Sequence, residues 1–152
     1  CQRVFSFIKN NCEYKVKKSE NLSNSDKDLI KQTEKITNDL KSKMDDQDLN
    51  SYLKLVIEIS FITNKYINDE EPWKLKKTDS IKMSNILHIS LEQIAKISIL
   101  LSPIIPKATT RVLDALNVKT ASRNLSFLEK KMILPKEIQI KELDLLFKKI
   151  DQ

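Results

Sequence analysis

The sequence predicts an all-α fold, an antiparallel bundle of about five helices with a C-terminal extension. Three observations carry this. The 152 residues contain no glycine, where average usage of ~7% would supply roughly 10. Glycine provides the left-handed positions of hairpin turns, phosphate-cradling loops and nucleotide-binding crossovers, so its absence argues against all three. Apolar residues recur at helical spacing along most of the chain. Asp, Ser and Pro stand where those periodic segments start and stop.

Val4, Phe5, Ile8 and Cys12 give the opening segment a helical face, read as the last turns of a helix begun upstream. Residues 13–24 are polar and lysine-rich, a connector. Ser25 or Asp26 can cap a second helix, whose stripe is Leu29, Ile30, Thr33, Ile36, Thr37, Leu40 and Met44. Asp45 and Asp46 interrupt it and start a third. There Leu49, Tyr52, Leu53, Val56, Ile57, Ser60, Phe61, Asn64 and Ile67 form one side. That helix stops near Asp69, because Pro72 disfavours a helical residue before it. Asp79 or Ser80 caps a fourth helix with the face Met83, Ile86, Leu87, Ser90, Leu91, Ile94, Ile97 and Leu101, ending at Ser102 and Pro103. Pro106 suits the first turn of a fifth helix that runs through Leu116. The tail is looser over 128–140, and 141–150 is expected to form a short final helix.

Composition bounds the function. Charged residues make up 32% and the hydrophobic set 40%, which suits one soluble globular domain over 1–152. No apolar run approaches the ~20 residues of a membrane-spanning helix. The net charge of +6 is compatible with nucleic acid and equally with a solvated lysine-rich surface. Cys1 and Cys12 on one helix would lie ~16 Å apart at 1.5 Å per residue, beyond the ~7 Å reach of a disulfide. They read as unpaired thiols of a reducing cytosol, and the expected location is cytoplasmic. No targeting segment opens the chain, which begins without methionine inside an amphipathic pattern and so reads as a fragment.

Catalytic constellations are scarce. His88 is the sole histidine and is placed near the polar side of the fourth helix, half-exposed. Neither metal site nor catalytic residue is expected. Lys82-Met83-Ser84 invites comparison with the KMSKS loop of class I synthetases. Met83 belongs to a helical stripe, however, and Asn85-Ile86-Leu87 follows, so the match is rejected.

The informative stretch is Asn64-Lys65-Tyr66-Ile67-Asn68-Asp69-Glu70-Glu71-Pro72-Trp73-Lys74-Leu75. A helix ends in an acidic turn and a proline, followed by the only tryptophan, with Lys74, Lys76 and Lys77 after it. A tryptophan in a basic loop can act as a stacking platform beside phosphate-attracting charge. It can equally fold back to plug the end of the core. The residues alone leave both readings open.

This stretch resembles a segment of methionyl-tRNA synthetases that reads Asn-Lys-Tyr, a spacer, then Pro-Trp. Residues 3–8 resemble the family's helix carrying Asn-Leu-x-x-Arg, and 89–106 its core helix with a Pro-x-x-Pro junction. Leu146-Phe147-Lys148-Lys149-Ile150 is similar to its terminal Leu-Phe-x-(Arg/Lys)-Ile. Two departures stand in the tail: Pro135-Lys136-Glu137-Ile138 occupies the place of the family's glycine, and Lys148 replaces a common proline.

The resemblance implies an anticodon-binding domain reading the CAU anticodon of methionine tRNA. It implies that Trp73 stacks on the first anticodon base, that Pro72 fixes the loop and that Arg3 contacts the same base. The family's asparagine would fall two residues before Cys1. Lys74, Lys76 and Lys77 would attract phosphates, with Asn64 and Tyr66 as support. The implied partners are methionine tRNA and the catalytic domain of the same chain, with neither membrane nor DNA. The domain itself takes no cofactor, whereas the parent ligase would use ATP and methionine. The competing readings are the equivalent domain of the valine, isoleucine, leucine or cysteine enzyme, or a basic protein-interaction bundle anchored by Trp73.

Overall fold

The computed structural model describes residues 1–129 and 132–147. Five α-helices dominate: α1 (Gln2–Cys12), α2 (Asn24–Asp45), α3 (Leu49–Glu70), α4 (Ser80–Leu101) and α5 (Pro106–Ala115). The expected helical bundle is present, with α4 as its central member. Sixteen of the 22 residues of α4 are buried, because α1, α2, α3, α5 and a strand pair all pack around it. Ile86, Ile89 and Leu91 are fully buried. Among the described residues no helix is long and apolar enough to cross a membrane.

Chain reversals that glycine would ordinarily make are taken by other residues. Glu13, Tyr14, Gln47, Glu71 and Asn117 all have positive φ. Two of these, Glu13 and Tyr14, turn the chain out of α1 and into a strand. The stretch expected to be a plain connector therefore contains β1 (Lys15–Lys17), which pairs antiparallel with β2 (Glu137–Gln139). Val16 and Ile138 face inward, while Lys15, Lys17, Glu137 and Gln139 face outward. Ser84 of α4 closes the ribbon's edge: its Oγ accepts from Lys17 N at 3.1 Å and donates to Lys17 O at 2.7 Å. Strands of three residues are too short to impose a legible alternation.

Several helix boundaries and faces differ from expectation. The N-cap of α2 is Ser23, not Ser25 or Asp26. Asp26 is the third helical residue of a capping box, its carboxylate accepting from Ser23 N at 2.8 Å. The cap of α3 is Asp48, whose carboxylate accepts from Ser51 N at 3.1 Å. Asp45 instead ends α2, and Asp46 is its C-cap. The buried face of α3 is rotated to Tyr52, Val56, Ile59, Thr63, Tyr66 and Ile67. Leu49, Ile57 and Phe61, assigned to the core from periodicity, are 54%, 49% and 70% exposed. Helix α3 is apolar on two sides, so spacing alone could not select which side meets α2 and α4. Thr63 enters the core because its hydroxyl donates back to Ile59 O at 2.7 Å.

His88 is fully buried rather than half-exposed. The tail returns over the side of α4 that the sequence marked as polar, and His88 Nε2 meets Pro135 O at 2.7 Å. A carbonyl only accepts, so Nε2 carries the proton. Nδ1 is buried without a hydrogen-bond partner. Burial holds the imidazole below its ordinary pKa, the bond to Pro135 opposing this in part. One turn further along α4, the buried Glu92 carboxylate accepts from Ile133 N at 2.5 Å and Leu134 N at 2.9 Å. These bonds hold the tail over α4. The final helix expected over 141–150 does not form in 141–147, and 148–150 lie outside the described residues.

Candidate nucleic-acid interface

Helix α3 runs to Glu70 and stops at Glu71, whose left-handed backbone (φ 43°) ends the helical hydrogen bonding. Pro72 then opens a 3₁₀ turn, Pro72–Lys74, and is itself buried. Leu75 N donates to Pro72 O at 3.1 Å and Asp79 N to Leu75 O at 2.9 Å, which leads directly into α4. The short turn leaves Trp73 little freedom. Trp73 is partly buried, packed against the core with a minor part of its surface reaching solvent.

Arg3 of α1 reaches this ring. Its guanidinium carbon lies 4.2 Å from the indole centroid, a cation–π contact. Arg3 Nη1 also donates to Asn68 Oδ1 of α3 at 3.0 Å. The guanidinium is thus held between the indole and the amide. Of its five N–H donors, this leaves part of the fork for a ligand.

An open cleft of about 510 Å³ faces this pair, lined by Arg3, Phe7, Asn10, Asn11, Pro72 and Trp73 among others. A second cleft of about 220 Å³ lies on the other flank of Arg3, with Asn64 and Asn68 in its wall. Arg3 lines both.

The structure brings together Arg3, Pro72 and Trp73 as expected. Lys76 joins them, its ammonium donating to Asn11 Oδ1 at 3.0 Å. Lys74 is exposed and pairs with Glu71 at 2.8 Å. Lys77 is exposed in the same loop. Asn64 is exposed in the wall of the smaller cleft. Tyr66 points away from both clefts into the core, where its hydroxyl donates to the buried Asp26 carboxylate. Burial and the Asp26 charge hold this phenol far above its usual range. Sequence reasoning missed Asn68, Asn10 and Asn11. Asn68 follows Asn64 by one turn, and Asn10 follows Arg3 by two, so face-sharing was the available signal.

Among the described residues no cluster of His, Cys, Asp and Glu could hold a metal ion. The apparatus is of another kind: a partly buried aromatic, a planar cation and amide side chains around a cleft, suited to a flat ligand with acceptor edges.

A family model for the anticodon binding domain of methionyl tRNA ligase matches residues 16–152. The chain belongs to that family. Arg3 precedes the matched span. The methionine–tRNA ligase of Brucella suis is 32% identical over 125 residues, 82% of this chain and 24% of that protein. That of Rickettsia typhi is 32% identical over 151 residues, 97% of this chain and 30% of the relative. The chain thus spans less than a third of the length of these curated relatives. The apo methionyl-tRNA synthetase of Mycobacterium tuberculosis superposes with a TM-score of 0.89 at 19% identity, covering 99% of this chain and 31% of that one. At that identity the likeness establishes the fold. The helical bundle is an anticodon-binding domain of the methionyl-tRNA ligase family.

Proposed function

We propose that this domain reads the CAU anticodon of methionine tRNA at the Arg3–Trp73 pair. It would do so within a cytoplasmic methionine–tRNA ligase that uses ATP and methionine. The observation that supports this is the Arg3 guanidinium carbon 4.2 Å from the centroid of a partly buried indole, beside an open cleft. The first anticodon base, turned out of its loop, stacks in this cleft on the Trp73–Arg3 surface. Stacking tolerates any base, so Trp73 supplies affinity. Arg3 supplies choice: its donors match N3 and O2 of cytosine, whereas uracil presents a hydrogen at N3. Asn68 keeps the fork aimed, Pro72 fixes the turn, and Lys74, Lys76 and Lys77 attract phosphates in a salt-dependent way. The catalytic domain of the ligase is the second partner, and the exposed Leu145 and Phe147 of the tail offer apolar surface for it.

The test compares hairpins with CAU and UAU loops against the Arg3→Ala variant. The variant loses the preference for CAU, a change of roughly 5- to 150-fold for the ~1–3 kcal/mol that a well-placed base contact discriminates. Binding to UAU changes less. A preference that survives the substitution intact assigns discrimination to another group.

A further inference from the structure

Lys82 belongs to the tripeptide that superficially resembles a catalytic loop, and nothing in the anticodon reading uses it. Its position in the fold is specific. The main-chain N–H of Lys82 donates to Asp79 Oδ1 at 2.8 Å, closing the N-cap of α4. Its ammonium lies 2.9 Å from Glu70 Oε2, on the last residue of α3. Glu70 and Asp79 bracket the segment 71–78, which carries Pro72 and Trp73. A single residue therefore ties both ends of the turn that presents the indole.

The anchorage extends deeper. Glu70 Oε1 accepts from Ser25 Oγ at 2.5 Å, at the start of α2. Nearby, Asp26 closes the α2 capping box with one oxygen and takes the Tyr66 hydroxyl with the other. Three helix ends, the start of α2, the end of α3 and the start of α4, thus meet at Glu70 and Lys82. The Glu70 side chain is 15% exposed and that of Lys82 42%. An ion pair this open adds little to global stability, being screened by solvent. Its effect is confined to the segment it brackets, where a single 3₁₀ turn, Pro72–Lys74, carries Trp73.

We propose that Lys82, through its ion pair with Glu70, is a positioning residue that sets the height and orientation of Trp73 over the anticodon cleft. This rests on the reading of Trp73 as the stacking residue, but its first observable is independent of RNA. The alternative is that Lys82 simply attracts an RNA phosphate, as any lysine near the cleft would.

Two variants separate these, Lys82→Met and Glu70→Gln, each checked for an unchanged helical circular dichroism spectrum. The free protein carries one tryptophan, so acrylamide quenching reports on Trp73 alone. Positioning predicts that both variants raise the quenching constant by about twofold. Both also weaken binding of the CAU hairpin by about tenfold, within the roughly 5- to 150-fold that the ~1–3 kcal/mol of base–aromatic stacking spans. The double variant is no worse than either single one, and Lys82→Arg restores both readouts. A phosphate contact predicts instead that Lys82→Met alone weakens binding, that Glu70→Gln binds as well as or better than wild type, and that quenching is unchanged. That pattern overturns the proposal, as does unchanged quenching with any pattern of RNA binding. If the wild-type chain binds no hairpin, the anticodon reading fails, and the quenching result alone still decides whether Lys82 sets Trp73.

Discussion

Replacing Trp73 with alanine lowers affinity for a CAU hairpin by roughly 5- to 150-fold, the equivalent of the ~1–3 kcal/mol that base–aromatic stacking contributes. Two losses combine. The base loses the exposed part of the indole, and the Arg3 guanidinium loses the ring 4.2 Å from it. With only Asn68 left to hold it, Arg3 samples other rotamers, and the cost of ordering it falls on binding. The phenylalanine variant keeps a smaller platform and lies between. A labelled hairpin followed by anisotropy at several salt concentrations provides the check. The salt slope stays constant, because Trp73 neutralises no phosphate. Unchanged affinity in the alanine variant removes Trp73 from the interface.

The second large effect concerns the tail. Glu92→Ala removes the acceptor of two consecutive backbone N–H groups, at Ile133 and Leu134. Both donors belong to a segment packed against a fully buried part of α4. Each orphaned donor costs about 1–3 kcal/mol, so the variant loses roughly 2–6 kcal/mol of a total of about 5–15 kcal/mol. Glutamine at the same place retains one acceptor oxygen and loses less. Urea unfolding of the three proteins gives the ranking wild type, Glu92→Gln, Glu92→Ala. A Glu92→Ala variant as stable as wild type shows that the tail does not depend on this carboxylate. Burial drives the Glu92 pKa up while the two N–H bonds pull it down, so the site balances the cost of a buried charge against the donors that require it.

The bundle was legible because capping and periodicity agree in most of it. Asp79 caps α4 and Pro106 opens α5, as the sequence implied. The reading failed where a partner comes from far along the chain. His88 looks like a surface residue until Pro135, 47 positions later, lies against it. Val16 finds Ile138 across the ribbon, a pairing that no local pattern encodes. Helix α3 failed differently: with apolar residues on two sides, its periodicity is real but ambiguous, and Phe61 went to solvent while Tyr66 went in. At the site, Trp73 stood out as the lone tryptophan after a proline. Arg3 was reached through resemblance, because residues on different helices share no spacing rule. Asn68, which bonds Arg3, was marked only by sharing a helix face with Asn64.

The most direct test of the account is a titration of the domain with CAU and UAU hairpins while following Trp73 emission. Stacking of the first base predicts saturable quenching by CAU that is weak or absent with UAU over the same concentrations. Neither hairpin quenching Trp73, while the chain is folded, would contradict the assignment of this cleft to the anticodon.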